Sequence, residues 1–173
     1  MFLFRSREEN VVEIPLGVEG KLFVSPMPFG PYDKWNKLIK LYKEHRIEFA
    51  VVLVTDSELE KKARRDLLAI YEKNAIEVIR LPVADYTSPD MHQVTKTVDI
   101  VSGYLKAGAR VAVHCNAGVG RTGVMACCIV RDIMKISAED TLGYVRQHIK
   151  TNMTDEQIRL IKRFQTIEEE LGV

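Results

Sequence analysis

Ten consecutive residues could carry chemistry: His114-Cys115-Asn116-Ala117-Gly118-Val119-Gly120-Arg121-Thr122-Gly123. They separate a short β-like run, Arg110 to His114, from a mostly apolar stretch, Gly123 to Met134, that reads as a helix deep in the core. A loop so placed sits at a helix N-terminus, where unpaired backbone N–H groups and the helix dipole favour an anion. Gly118 and Gly120 let the loop curl until successive N–H groups converge into a nest. Arg121 adds a planar fork of donors suited to two phosphate oxygens at once. The same field acts on Cys115: a thiol with a free pKa near ~8.5 falls to roughly 3.5–7.5 in such surroundings. A drop of about three units corresponds to about 4 kcal/mol of preference for the thiolate. The expected product is a nucleophile at neutral pH held beneath a site shaped for a dianion. A plain tight turn with Cys115 as apolar filler would not need Cys, two Gly, Arg and Thr together in a strand-loop-helix. Cys127 and Cys128 lie further along among apolar residues and read as core filler.

The elements that must position this loop follow from hydrophobic patterning. Val11 to Ile14 and Lys21 to Val24 are short β-like runs split by Pro15 and Gly17, an edge hairpin. Pro26, Pro28, Gly30 and Pro31 break the chain, and Tyr32, Trp35, Leu38, Ile39 and Tyr42 then recur at helical spacing. Phe49 to Val54 is a continuous apolar run of the kind buried on both faces of a sheet. Ser57-x-x-Glu60 predicts a capping box opening a charged helix to about Lys73, with the run from Glu60 to Asp66 as a solvated face. Glu77 to Val83 is a further strand. Ser88-Pro89 starts a helix whose apolar face is Met91, Val94, Val98, Val101 and Leu105. Ser137-x-x-Asp140 and Thr154-x-x-Gln157 open two more, the last turning Ile158, Ile161, Phe164, Ile167 and Leu171 inward. Strands alternating with helices, then a helical C-terminal third, predict a single α/β domain over 1–173 with a central, mainly parallel sheet flanked by helices.

Composition excludes some classes. The 173 residues suffice for one domain with a proper core. A formal charge of +1 predicts neither nucleic-acid nor membrane affinity, so any preference for anions is local. No apolar run reaches the roughly 18 residues needed to span a bilayer, and the N-terminus lacks a basic n-region. Three cysteines without metal-ligand spacing disfavour a disulfide framework or a zinc site. A cytoplasmic monomer with free thiols, no metal and no cofactor is the expectation. His45, His92 and His148 lack partners at ligand spacing and read as surface or capping residues.

The ten-residue segment resembles the signature of the cysteine-dependent protein tyrosine phosphatases: His-Cys, five residues, Arg, then Ser or Thr. The chain is similar in size to the compact dual-specificity branch, and the likeness runs from about Lys21 to Phe164. The resemblance implies that Cys115 forms a phosphocysteine, that Asn116, Ala117, Gly118, Val119, Gly120 and Arg121 hold the phosphate, and that Thr122 stabilises the departing cysteine. It gives His114 a supporting role behind the loop. It also implies an aspartic acid, on the segment before the helix that precedes the signature strand, to protonate the leaving oxygen. Asp85 in Leu81-Pro82-Val83-Ala84-Asp85-Tyr86-Thr87-Ser88-Pro89 occupies that place. Asp56 is the weaker contender, and Asp90 reads as a first-turn helix acid. Gln157 matches a glutamine that positions water in the second step, and equally completes a capping box with Thr154. One departure stands out: the Arg-Pro-Gly stretch usual before this loop is replaced by Ile149-Lys150-Thr151-Asn152-Met153.

The resemblance implies hydrolysis of phosphotyrosine, with phosphoserine and phosphothreonine as further candidates, and a phosphorylated protein as partner. Two alternatives stand beside it. Relatives acting on inositol phosphates often carry lysines inside the signature, whereas Asn116 and Val119 are uncharged here. Inactive phosphate-binding modules usually lack the Cys, the Arg or the acid, and this chain has all three.

Overall fold

Three parallel strands, each buried from its second residue on, form the centre of the molecule: Lys21–Ser25 (β2), Arg110–His114 (β5) and Phe49–Val52 (β3). The structure is a computed structural model and describes residues 10–164 and 171–172. The five-stranded sheet has the order β1-β2-β5-β3-β4, with Val12–Ile14 as β1 and Glu77–Arg80 as β4. Only β1, paired with β2 across the Pro15–Gly20 connection, runs antiparallel. The chain lays down β2, β3 and β4 before returning to place β5 between β2 and β3. That reversal creates a crevice at the carboxyl end of β5, where open α/β sheets take their ligands. The expected mainly parallel sheet is therefore present, and its edge hairpin with it.

Among the described residues a short 3-10 turn, Lys34–Asn36, and seven α-helices complete the order: Leu38–Glu44 (α1), Asp56–Lys62 (α2), Leu67–Lys73 (α3), Met91–Lys106 (α4), Arg121–Met134 (α5), Ala138–His148 (α6) and Asp155–Arg163 (α7). Helix α5 is the hub. Eleven of its residues are buried, and α4, α6 and α7 pack around it. Helices α1 and α3 meet through Tyr42 and Tyr71, whose rings stack with centroids 6.3 Å apart on the side to which His114 points.

The expected helix from Ser57 to Lys73 is instead two helices, and its cap lies two residues earlier. Thr55 Oγ1 accepts from Glu58 N (3.2 Å) and the Glu58 carboxylate accepts from Thr55 N (3.1 Å), so the capping box is Thr55-x-x-Glu58. The break at Ala63–Asp66 has a tertiary cause. Arg64 turns to donate to the Asp33 carbonyl (3.1 Å) and Asn36 Oδ1 (2.8 Å), and the Arg65 guanidinium lies 5.5 Å over the Phe29 ring. The charge run is thus a tie to the 29–36 loop.

Three smaller expectations also change. Tyr32 and Trp35 do not share the α1 face; they are 51% and 90% exposed, because helix α1 begins only at Leu38. The cap of α4 is Asp90, which accepts from Gln93 N (3.0 Å), not Ser88. Leu171 is exposed where an inward position was expected, whereas Ile161 and Phe164 are buried; Ile167 lies outside the described residues. The Ser137 and Thr154 caps are as expected. His45 caps α1 and His148 closes α6, its Nδ1 2.9 Å from the Tyr144 carbonyl. No helix among the described residues is long and apolar enough to cross a membrane.

Candidate active site

The loop between β5 and α5 is shaped by its neighbours. Met27 N donates to the Asn116 carbonyl (3.1 Å), and Asn152 N donates to the Val119 carbonyl (2.9 Å). In a trans peptide the C=O and the following N–H point in opposite directions. Drawing those two oxygens outward therefore turns the Ala117 and Gly120 N–H groups inward. Gly118 sits at φ +79°, and a Cβ there would stand 2.7 Å from the Ser25 carbonyl oxygen, so no other residue fits. Its N–H donates to Cys115 Sγ at 3.2 Å. The Ile149–Met153 stretch that departs from the family pattern is thus built into the cradle through Asn152.

Above the sulfur lies a cavity of about 60 Å³, lined by Tyr32, Asp85, Tyr86, Cys115, Asn116, Ala117, Val119, Gly120, Asn152 and Gln157. At the ~10–15 Å³ that one water requires, it holds about four to six water-sized groups, the scale of a phosphate. A larger groove of about 530 Å³ runs between α2 and α3 past Asp56, Arg64 and Leu68, and its lining has no cysteine, serine or threonine.

Arg121 opens α5 with its side chain 2% exposed. Glu58 takes it in a fork, Nη1 to Oε2 at 2.7 Å and Nη2 to Oε1 at 2.9 Å, while Nη1 also donates to the Val83 carbonyl (2.7 Å). Burial alone would push the Glu58 carboxyl up; the hydrogen bonds from Arg121, from Thr55 N and from Lys62 outweigh it and hold the group at about 2. Burial likewise works against the Arg121 cation, and Glu58, Cys115 and Asp85 together push its pKa up. The Nε–H of Arg121 is buried without a hydrogen-bond partner among the described residues, a donor left over for an anion in the cradle. Patterning passed over Glu58, although Thr55-x-x-Glu58 directly after an apolar strand was the signal.

Asp85 lines the cavity, with Oδ1 3.2 Å from Arg121 Nη2. Its loop is pinned at both ends: Thr87 N and Oγ1 donate to the Ala84 carbonyl, and Gln157 Nε2 donates to the Thr87 carbonyl at 2.9 Å. Gln157 also accepts from Thr154 N (3.0 Å), so the capping box and the place at the cavity coexist in one side chain. Asp56 instead pairs with Arg80 (2.6 Å) in the first turn of α2, its side chain 83% exposed, and does not line the cavity. Thr122 is fully buried, and its Oγ1 has no hydrogen-bond partner among the described residues.

His114 faces away from the cavity. Its Nδ1 is 3.1 Å from the Cys115 carbonyl, which can only accept, so Nδ1 carries the proton; Nε2 then accepts from Tyr71 Oη at 2.8 Å. Burial holds the ring neutral, with its pKa lowered to about 4. Cys127 and Cys128 are fully buried in α5. Burial pushes the Cys127 thiol up to about 12 and Cys128 well above its ordinary value, consistent with core packing.

Residues 34–133 match the family model described as Tc-R-P, polymorphic toxin system, DSP-PTPase phosphatase. Among curated proteins, the chain is 26% identical over 104 residues to cyclin-dependent kinase inhibitor 3 of Mus musculus, covering 60% of this chain and 49% of that protein. It is 32% identical over 76 residues to tyrosine-protein phosphatase CDC14 of Saccharomyces cerevisiae, covering 44% of this chain and 14% of that one. The chain thus spans half or less of the length of these relatives. Among solved structures, kinase associated phosphatase with its catalytic site cysteine replaced by serine superposes with a TM-score of 0.79 at 19% identity, over 94% of this chain and 96% of that one. PTPMT1 in complex with PI(5)P superposes with a TM-score of 0.75 at 17% identity, over 95% and 97%. These two likenesses are of fold. The family match spans more than half of the chain and takes in β5, the loop around Cys115 and α5 up to Ile133. By that match the chain belongs to the DSP-PTPase family of cysteine-dependent phosphatases.

Proposed function

We propose that the chain hydrolyses phosphate monoesters on proteins, phosphotyrosine foremost, through a phosphocysteine at Cys115. The observation that carries this reading is Cys115 Sγ at the floor of a phosphate-sized cavity, accepting the Gly118 N–H at 3.2 Å, with Arg121 and Asp85 converging beside it. In the first step the sulfur attacks phosphorus while Asp85 protonates the departing oxygen. Inward N–H groups of the loop and Arg121 hold the charge that builds on the equatorial oxygens. In the second step a water oriented by Gln157 gives a proton to the Asp85 carboxylate left by the first step and displaces the thiolate from phosphorus, releasing phosphate. Thr122 stabilises the sulfur as it leaves. His114 is a positioning residue: it fixes the Cys115 carbonyl and does not reach the cavity. No metal or cofactor takes part, and the substrate is a phosphorylated protein met by a cytoplasmic monomer.

A phosphoinositide or inositol phosphate substrate is the second reading, since PTPMT1 was solved with PI(5)P. The cavity lining speaks against it, because it contains no lysine or arginine to meet further phosphates. Rapid quench of the enzyme with a phosphotyrosine peptide should trap phosphate on Cys115, and Cys115→Ser should bind phosphate without turnover. Turnover by a pure Cys115→Ser sample sinks the mechanism. A substrate panel in which inositol phosphates outrun every phosphopeptide replaces the substrate.

A further inference from the structure

Four buried polar side chains stand behind the cradle, and none of them lines the cavity: Ser25, Tyr42, Tyr71 and His114, each at most 3% exposed. Ser25 and His114 are direct partners across β2 and β5, at the ends where both strands run into loops. Each receives one of the two stacked tyrosines. Tyr42 Oη from α1 lies 2.7 Å from Ser25 Oγ, and Tyr71 Oη from α3 lies 2.8 Å from His114 Nε2. Burial pushes both phenols up, so each keeps its proton to donate at neutral pH.

The protons can be placed one after another. Ser25 Oγ donates its single proton to the Pro26 carbonyl at 2.7 Å, so toward Tyr42 it can only accept, and Tyr42 is the donor. The Pro26 carbonyl, drawn back to Ser25, turns the Met27 N–H of the same peptide the opposite way, and that N–H donates to the Asn116 carbonyl. The Asn116 carbonyl in turn leaves the Ala117 N–H facing the anion site. One chain thus runs from Tyr42 through Ser25 and two peptide units to a cradle donor, with every proton pointing the same way. Tyr71 starts a second chain, through His114 and the Cys115 carbonyl, that ends on the Asn116 N–H. Each link in such a chain polarises the next. There is also little slack, because a Cβ at Gly118 would stand 2.7 Å from the Ser25 carbonyl oxygen, so a shift at the end of β2 passes straight to the loop.

We propose that Tyr42 and Ser25 are positioning residues for the phosphate: without touching substrate, they aim and strengthen the Ala117 N–H from behind the cradle. The inference rests on the phosphatase reading above.

The test is binding of inorganic phosphate by calorimetry in the Cys115→Ser background, which needs no turnover, together with the cradle amide resonances by nitrogen-15 NMR. Tyr42→Phe, which keeps the ring, should weaken phosphate about threefold, and Ser25→Ala about tenfold, the scale of one hydrogen bond. The double variant should lose no more than Ser25→Ala, because a single chain breaks only once. It also leaves no tyrosine hydroxyl stranded, so it reads the effect in a protein that keeps its fold. All three should move the Ala117 amide resonance and leave Asn116 in place, whereas Tyr71→Phe should do the reverse. Variants that lose stability to denaturant yet keep the parent's phosphate affinity and Ala117 resonance reduce the cluster to packing and overturn the proposal. So do additive losses in the double variant, or equal movement of both amides in every variant. A parent chain that neither binds phosphate nor releases it from a phosphotyrosine peptide overturns the phosphatase reading itself.

Discussion

Glu58 holds Arg121 through both terminal guanidinium nitrogens, at 2.7 and 2.9 Å, from the first turn of a helix 63 residues earlier in the chain. The fork orients the guanidinium while leaving its Nε–H without a hydrogen-bond partner among the described residues. It also keeps a cation with a 2% exposed side chain compensated. Glu58→Ala leaves that cation only the Val83 carbonyl and its 3.2 Å contact with Asp85, and breaking a buried pair from one side typically costs about 3–5 kcal/mol. Chemical denaturation should show a loss of that order, with a fall in kcat/KM for p-nitrophenyl phosphate in the fraction that remains folded. Because the Glu58 pKa is depressed from 4.5 to about 2, its contribution is complete above pH 4.5 and lost as pH falls through about 2. Salt-bridge loss therefore plays no part in a pH–activity profile between pH 5 and 8.

Asp85 and Asp56 can be separated by leaving group. Asp85→Asn should slow release of a poor leaving group such as phenolate by roughly 10²–10⁴. A p-nitrophenolate-type leaving group, which needs less protonation, should suffer less. Asp56→Asn removes only an exposed pair with Arg80 and should change neither rate. The reverse pattern in single-turnover kinetics moves the acid to the earlier loop.

Gln157 joins α7 to the acid loop through its 2.9 Å bond to the Thr87 carbonyl. Gln157→Ala removes that bond and half of the α7 capping box, so stability should fall by about 1 kcal/mol. Breakdown of the phosphoenzyme should slow more than its formation, visible as a larger burst of leaving group in stopped flow. A smaller burst with slower formation would assign Gln157 to holding the acid loop alone.

His114 links stability to acid pH. Its folded pKa of about 4 lies below the ordinary 6.5, so burying it neutral contributes fully above pH 6.5 and is lost as pH falls through about 4. Equilibrium unfolding should lose on the order of 3 kcal/mol across that window. Tyr71→Phe leaves the buried Nε2 without its donor and should cost about 1–3 kcal/mol at pH 7.

The three cysteines should divide by environment. Cys115 lines the cavity, while Cys127 and Cys128 are fully buried, the Cys127 thiol pushed up to about 12 and the Cys128 thiol raised well above its ordinary value by burial. Iodoacetamide at pH 7 should label Cys115 alone in the native protein, and mild peroxide should oxidise it without a disulfide to either neighbour. Peptide mass spectrometry reads both; a Cys115–Cys127 or Cys115–Cys128 disulfide would show that α5 opens to let a buried thiol capture the oxidised one.

Sequence alone determined what depends on local order. The β5 run, the glycines and the Arg121–Thr122 helix start are contiguous, so their spacing announces an anion cradle before any folding. The apolar runs that became β3 and β5, and the Ser137 and Thr154 caps, were legible because buried strands and helix caps are set by residues within a few positions of one another. Tertiary structure alone decided the partners brought from afar. Glu58 meets Arg121 because β3 and β5 are adjacent in the sheet, an adjacency that spacing along the chain does not encode. The expected helix from Ser57 to Lys73 broke because Arg64 and Arg65 found stronger partners in the 29–36 loop than one more helical turn offered. That same loop, locked by the buried Asp33, carries Tyr32 out of the helical pattern its spacing suggested and to the cavity that Cys115 also lines. Helical periodicity registers which residues can share a face; whether a helix forms there depends on side chains and carbonyls that only the folded chain brings together.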